Sequence, residues 1–175
     1  MFKKNSIFHS IFLQVGALSH RRSAFFWPLL LAFMAALSGC QTIPTLPPVN
    51  LSEPGWSVRQ GQAVWRSKKG AAEIAGELLV AVNPDGRSFV QFTKTPFPMV
   101  IAQTTSNSWQ IQDVRKNKIY SFRGHPPARL LWLQLPRCLT GGSPPKNWKW
   151  ERLENGSFRF QNLSSGESLE GYLSP

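Results

Sequence analysis

The sequence predicts a mainly β domain, arranged as a sandwich or a barrel, with one short buried α-helix. Short runs of β-forming residues alternate with turn signals at intervals of about eight to twelve residues, the spacing typical of such folds. In one run, residues 76–82 (GELLVAV), both faces are apolar, as expected of a strand that is covered on both sides. A single leucine-rich stretch, bounded by proline and glycine, supplies the helix.

Turn signals separate the predicted strands. The turn at 83–86 (NPDG) is the strongest, because proline fixes φ at the second turn position and glycine accepts the positive φ that closes a hairpin. Residues 95–98 (TPFP) interrupt the following run, since a proline has no N–H to donate to a neighbouring strand. The strands are therefore predicted, in chain order, at 62–65, 73–82, 87–94, 99–103, 109–113, 118–122, 149–152, 157–161 and 168–173.

The helix is predicted over residues 128–139, within the sequence HPPARLLWLQLPRCLTGG. Pro127 suits the first turn of a helix, where no N–H bond is lost, and the two glycines at 141–142 suit its end. The stretch 130–135 is apolar nearly all round, so we expect the helix to be buried. Pro136 is expected to weaken or kink its second turn.

The first 39 residues have the composition of a secretory signal. Four basic residues provide a positive flank, residues 24–37 (AFFWPLLLAFMAAL) form an uncharged apolar run, and small residues precede Cys40. The run has 14 residues, whereas a helix needs about 20 to cross a bilayer. A cleaved signal is therefore favoured over a retained transmembrane anchor.

Residues 37–40 (LSGC) resemble the bacterial lipobox. In lipoproteins with this motif the cysteine sulfur receives a diacylglycerol, the signal is cut before the cysteine, and the new amino group is usually acylated. The resemblance implies a signal peptide at 1–39 and a lipid on Cys40 that holds the chain on a membrane, because several acyl chains bind far more strongly than one. Gln41 is not the aspartate that resembles an inner-membrane retention signal, so we expect the outer membrane, facing the periplasm.

Residues 40–55 are predicted to be a proline-rich tether, and residues 56–175 to form the folded domain. The segment 41–55 has four prolines and no apolar periodicity, and at about 3.1 Å per residue it could hold the domain about 40 Å from the lipid surface. Without residues 1–39, sixteen basic and nine acidic residues leave a net charge of +7. Since Cys40 is used for the lipid, Cys138 has no partner for an intramolecular disulfide.

Residue patterns typical of catalysis or metal binding do not occur in the sequence of the domain. It has no C-x-x-C, no H-x-x-x-H, no cluster of carboxylates and no glycine-rich phosphate loop. A nucleophilic pair of Cys138 with His125 is conceivable. However, Cys138 lies between Leu135 and Leu139 of the apolar helix, where a free cysteine behaves as a small hydrophobe. The sequence therefore predicts a protein that is not an enzyme and has no metal or other cofactor.

Aromatic residues are abundant for so small a domain. Most are expected to fill an ordinary core, but six tryptophans are bulky for a small sheet with one helix. Some of them are therefore predicted to line a concave apolar binding site. The six are Trp56, Trp65, Trp109, Trp132, Trp148 and Trp150.

The progression from Gly76 to Ile111 (G-x-L-x-V…PDGR…F-x-K-x-P-F-P-x-V…W-x-I), with the lipobox before it and the helix after it, resembles the LolA/LolB superfamily of lipoprotein carriers. In that superfamily the sheet curls into an unclosed β-barrel, helices plug it, and the apolar interior shelters acyl chains in transit through the periplasm. LolB is itself an outer-membrane lipoprotein. The resemblance thus implies a mainly β fold, an antiparallel curled sheet or unclosed β-barrel with one short covering α-helix.

The sequence departs from the carrier superfamily at the start of the domain, and the resemblance implies a set of ligand-binding residues. Those carriers begin with an amphipathic helix, whereas here the tether runs through Trp56 directly into a strand, which reduces the lid to residues 128–139. The interior residues implied by alternation are Leu78, Val80, Val90, Phe92, Val100, Trp109, Ile111, Leu130 and Leu133.

Two functions follow as hypotheses. The first is a membrane-anchored periplasmic lipoprotein that binds or passes on an apolar ligand, namely acyl chains of lipids or of another lipoprotein. The alternative is a non-enzymatic envelope adaptor whose basic turns, at 68–69, 115–118 and 146–149, bind an anionic lipid, polysaccharide or protein. Nucleic acid is not expected as a partner in this compartment.

Overall fold

The computed structural model describes residues 45–153 and 156–174, so the predicted signal peptide, Cys40 and the first residues of the tether lie outside the described residues. The described part contains nine strands and one α-helix, with a 3₁₀ turn at Val114–Lys116. The elements are β1 (Ser57–Arg66), β2 (Glu73–Val82), β3 (Ser88–Lys94), β4 (Phe97–Thr104), β5 (Ser108–Asp113), β6 (Lys118–Arg123), α1 (Leu131–Leu139), β7 (Trp148–Arg152), β8 (Ser157–Asn162) and β9 (Ser168–Ser174).

All nine strands belong to one antiparallel sheet, in the order β6-β5-β4-β3-β2-β1-β9-β8-β7. The sheet does not close into a barrel, because β6 and β7 are both edge strands. The predicted fold class, an unclosed antiparallel sheet with one short helix, is confirmed. Each predicted strand is present. β1 begins at Ser57 rather than at residue 62. It pairs with β2 over its whole length, so the mostly polar residues 57–61 also belong to the strand.

The helix α1 packs on the concave face of the sheet, against β2, β3, β4 and β5. Eight of its nine residues are buried. Trp132 lies at the centre of the contact, with its ring centroid 5.3 Å from that of Trp65 and 5.3 Å from that of Phe92. Aromatic pairs of this kind contribute about 0.5–1.5 kcal/mol beyond the burial of their area. The helix therefore fills the interior of this half of the sheet.

The helix begins at Leu131, three residues later than the sequence predicts. The N–H of Leu130 donates to the carbonyl of Pro127 at 3.1 Å, which closes a turn before the helix, and Leu130 itself is extended. Pro127 therefore opens a turn and not the helix. Pro136 lies inside α1 and is buried, so the helix continues through it with one N–H donor fewer.

Residues 45–56 lie along the convex face of the sheet. The backbone N–H of Leu46 donates to Oε1 of Gln110 on β5 at 2.7 Å, and the carboxylate of Glu53 pairs with Arg87 at 3.1 Å. Gln110 and its cross-strand neighbour Gln103 face away from the core, yet they are only 8% and 6% exposed. The described part of the tether is thus docked on the sheet, which differs from the free extended segment that its prolines predict.

β2 is buried on both faces near its C-terminal end, and the docked segment 45–56 lies on the same face of the sheet as its outer side chains. Leu78 and Val80 face α1 and are buried, and Ala81, on the opposite face, is also fully buried. The apolar side chains of the segment are themselves half buried, and prolines with fixed φ lose little conformational entropy when the chain is held in place. The expectation that β2 is covered on both sides is therefore met at Val80 and Ala81.

We expect Leu135→Ala to lower the free energy of unfolding by about 2–5 kcal/mol, because Leu135 is 0% exposed and truncation leaves a cavity under α1. Urea unfolding of the full chain measures the loss. Leu163→Ala is the matched control, since Leu163 is 64% exposed and its truncation should change stability by less than about 0.5 kcal/mol. Equal losses in the two variants would contradict the described packing of the helix.

We expect Gln110→Ala to raise the exchange rate of the Leu46 amide hydrogen by a factor of about two to ten. This factor corresponds to the net free energy of the one hydrogen bond that the amide loses. Hydrogen-exchange mass spectrometry or NMR measures the change. Gln112→Ala is the control, because Gln112 lies on the same strand and face of the sheet. An unchanged Leu46 rate in Gln110→Ala would show that the segment is held by other contacts.

Candidate ligand cavity

A cavity of ≈ 850 Å³ lies on the concave side of the half-sheet β1-β9-β8-β7, where α1 ends. Its size falls within the roughly 300–1,000 Å³ typical of small-molecule sites. We call this end of the sheet, which also carries the β7–β8 turn, the open end. The residues that line the cavity are Arg59, Cys138, Leu139, Thr140, Gly141, Gly142, Trp150, Arg152, Gly156, Phe158 and Leu173.

Apolar side chains from the helix and three strands form the floor of the cavity. Trp150 of β7 stacks on Phe158 of β8, with ring centroids 5.4 Å apart and planes inclined by 22°. Leu173 of β9 and Leu139 of α1 complete the floor. Because alternate residues of a strand share a face, the pairing of β7, β8 and β9 brings these side chains to the same concave surface.

Two glycines that follow α1 shape one wall of the cavity. Gly141 has a φ of +91°, and the N–H of Gly142 donates to the carbonyl of Arg137 at 2.9 Å, which closes the helix end as in a Schellman motif. A Cβ atom on Gly142 would lie 2.9 Å from that same carbonyl oxygen. Arg137 therefore fills the space beside Gly142, whereas the space beside Gly141 is open.

Two arginines give the cavity a positive rim. Arg59 of β1 and Arg152 of β7 are exposed and line the cavity from two different strands. Arg152 donates to the carbonyl of Leu139 at 3.4 Å, which ties β7 to the C-terminal end of α1. Among residues 45–153 and 156–174, no carboxylate forms an ion pair with either guanidinium. Guanidinium groups bind phosphate and carboxylate in a bidentate fashion, so the rim suits an anionic head group.

Cys138 lines the cavity as a buried thiol. It is 1% exposed, and burial raises the pKa of the thiol because the thiolate is poorly solvated there, although the nearby Arg137 acts in the opposite direction. His125 is exposed in the segment before α1, and no hydrogen bond joins it to Cys138 in the described part of the chain. The geometry therefore gives no activated nucleophile from the pair considered in the sequence.

The nine residues predicted to bind the ligand do come together, but in the packed core under α1. Seven are buried, and Ile111 and Leu130 are half buried against them. None of the nine lines the cavity at the open end or a second groove of ≈ 510 Å³ along β1, β2 and β9. Trp132 occupies the space that they enclose. The set is Leu78, Val80, Val90, Phe92, Val100, Trp109, Ile111, Leu130 and Leu133, and its contact with a ligand stays a prediction.

Sequence reasoning missed the residues that line the cavity. Alternation alone marks Trp150 and Phe158 as sharing a face of their hairpin, but open space appears beside them only because α1 stops at Leu139. The one sequence signal for this position is the glycine pair at 141–142, which fixes the end of the helix. The arginines carried no signal, because an arginine on a strand is usually a solvated surface residue.

The basic turns are partly neutralised by acidic neighbours. Lys116 pairs with Asp113 at 3.3 Å, and Arg115 lies 3.5 Å from the same carboxylate. Lys149 pairs with Glu151 at 2.7 Å. These contacts leave less free charge for an anionic partner than the sequence alone indicates.

Trp65 closes the end of the sheet opposite the cavity. Its Nε1–H donates to Oε1 of Glu167 at 3.3 Å, and the guanidinium carbon of Arg115 lies 5.2 Å from its ring centroid. Burial raises the pKa of Glu167 to about 7, although the hydrogen bond from Trp65 opposes the shift. A carboxyl group that titrates near neutrality therefore lies beside the core.

We expect the stability of the protein to fall as pH rises from about 4.5 to about 7, because the folded state holds the Glu167 proton more tightly than the unfolded chain does. Glu167→Gln keeps an acceptor for Trp65 and removes the charge. It should raise the free energy of unfolding by about 1–3 kcal/mol at pH 8 and leave it nearly unchanged at pH 4. Urea unfolding at both pH values measures this, and parallel pH profiles for variant and parent would contradict it.

Comparison with known proteins does not identify a family. No protein family matches the chain, and no curated protein matches it. Within residues 45–153 and 156–174, no three metal-binding side chains are grouped together. No helix in those same ranges is long and apolar enough to cross a membrane.

Proposed function

We propose that the protein is a lipid-anchored lipoprotein of the bacterial envelope that binds an acyl-chain amphiphile in the cavity at the open end. The observation that supports this is the combination of an apolar floor with a rim of two arginines, Arg59 and Arg152, that have no carboxylate partner in the described residues. An acyl chain would lie along the floor, and its phosphate or carboxylate would face the rim.

The anchor in this proposal is the acylated Cys40, as the lipobox-like sequence at 37–40 implies. The periplasmic face of the outer membrane is the proposed location. A carrier role, in which the acyl chains of a lipid or of another lipoprotein are bound and passed on, follows from the resemblance to the LolA/LolB superfamily. No catalytic step belongs to the proposal, since Cys138 is a buried thiol without an activating partner in the described residues.

The aromatic floor favours an apolar chain over a polar ligand such as a sugar. Its two aromatic side chains, Trp150 and Phe158, form a stacked pair, and the charged side chains of the cavity are the two arginines. Ligand sites of this kind are mostly apolar with a few polar groups that fix orientation. This arrangement supports the acyl-chain proposal over the adaptor alternative, whose basic turns are partly neutralised.

We expect photo-crosslinking to place a fatty acid in the cavity. Cells that express the full chain are grown with a diazirine-bearing fatty acid and irradiated, and the purified protein is digested for mass spectrometry. Crosslinks should fall on peptides that contain Cys138–Gly142 or Trp150–Phe158, beside the lipid expected on Cys40. Leu173→Trp, which fills the floor, should abolish them. Crosslinks that survive Leu173→Trp, or that fall only on β3 and β4, would contradict this site.

The arginine rim is tested against an arginine outside the cavity. Arg59→Gln with Arg152→Gln should weaken crosslinking by about tenfold, the effect of losing one or two charged hydrogen bonds to the head group. Arg159→Gln removes a positive charge from β8, where Arg159 pairs with Glu170 and does not line the cavity, and it should leave crosslinking unchanged. Equal losses would show that the charge of the whole domain, and not the rim, attracts the ligand.

A further inference from the structure

The edge strand β6 exposes large apolar side chains. Ile119, Tyr120 and Phe122 are 47%, 47% and 48% exposed, although the strand has only six residues. Edge strands in soluble proteins are normally protected by charge, bulges or a covering element, because their unpaired backbone groups and apolar side chains invite contact. Tyr120 and Phe122 share one face of the strand, where Phe122 stacks on Trp109 at 5.1 Å, and Ile119 lies on the other face. Exposed apolar side chains grouped in this way favour contact with a partner surface.

Two unpaired cations flank these apolar side chains. Lys118 begins β6 and Arg123 ends it, and neither forms an ion pair within residues 45–153 and 156–174. Aromatic side chains together with lysine and arginine are typical of surfaces that lie in the head-group region of an anionic membrane. A second copy of the chain paired along this edge would instead bring the like charges of two strands together.

The docked segment sets how far this edge is from the lipid anchor. Leu46 is held on Gln110 of β5, and β5 is the neighbour of β6 in the sheet, about 4.8 Å away. Only five residues lie between Cys40 and Leu46, so even a fully extended chain between these two residues spans about 20 Å. A lipid on Cys40 therefore keeps the β5–β6 side of the domain close to the bilayer.

We propose that the β6 surface, defined as Lys118–Arg123, rests on the anionic membrane in which the Cys40 lipid is inserted. This inference depends on the lipidation assumed in the proposed function. Tyr120 and Phe122 enter the head-group region, and Lys118 and Arg123 contact anionic lipid phosphates. The domain is thereby held in one orientation on the membrane.

Spin labels at two matched positions test this orientation. Tyr120→Cys and Tyr172→Cys place labels on residues that are 47% and 50% exposed, on β6 and on the distant strand β9. Cys138 is 1% exposed and does not compete for the label. The full chain is purified in its lipidated form, labelled, and reconstituted on vesicles that contain phosphatidylglycerol. Paramagnetic relaxation by oxygen and by aqueous nickel then reports whether each label touches lipid or water.

We expect the label at 120 to lose its accessibility to aqueous nickel on the vesicles, and the label at 172 to keep it. Lys118→Gln with Arg123→Gln should restore nickel accessibility at 120, as should vesicles of phosphatidylcholine alone. Arg159→Gln, which removes one positive charge from β8, should have no such effect.

Three results would overturn the inference. These are an aqueous label at 120, membrane contact at 172, or spin–spin broadening at 120 that shows pairing of two copies. The mass of the purified chain separates these failures from a failure of the anchor. A chain without lipid on Cys40 would refute the anchored function, whereas a lipidated chain with an aqueous β6 would refute only the orientation.

Discussion

The packing of Trp132 between Trp65 and Phe92 is the contact on which the rest of the fold depends. Eight of the nine residues of α1 are buried, so the helix has almost no polar face to offer to water. The sheet gains an interior only by curling around this helix, and the helix is stable only inside the sheet. Because the aromatic rings meet at 5.3 Å, they fill the space between β1, β3 and α1 and fix the curvature of that half of the sheet.

The same helix leaves one end of the concave face uncovered, at the cavity. It packs against β2, β3, β4 and β5 and ends before it covers β7, β8 and β9. There the stacked pairs Trp148–Phe160 and Trp150–Phe158 join the β7–β8 hairpin to the same hydrophobic core as α1. The cavity lies at this boundary, where glycines replace side chains at the end of the helix. The cavity therefore exists because the helix stops at Leu139.

A second set of contacts is made on the convex face of the sheet. The proline-rich segment lies across it and is held by Leu46 on β5 and by Glu53 near the β2–β3 turn. Gln110, which accepts the hydrogen bond from Leu46, faces away from the core and is nevertheless buried, as are Gln103 and Ala81 on the same face. The docking also shortens the free length of chain before the domain, so the described part of the segment is not a long free spacer.

The sequence by itself determined the strands, the presence of the helix and, through the turn at 83–86, the hairpin of β2 and β3, because these depend on local periodicity and turn chemistry. It also indicated that β2 is covered on both faces, without showing what covers the outer one. Only the tertiary structure decided that Trp132 occupies the space among the nine predicted residues and that open volume remains beside Trp150 and Phe158. The alternation of apolar and polar residues along a strand indicates which face of the sheet a side chain lies on. Whether the space on that face is filled depends on the volumes of side chains from distant parts of the chain.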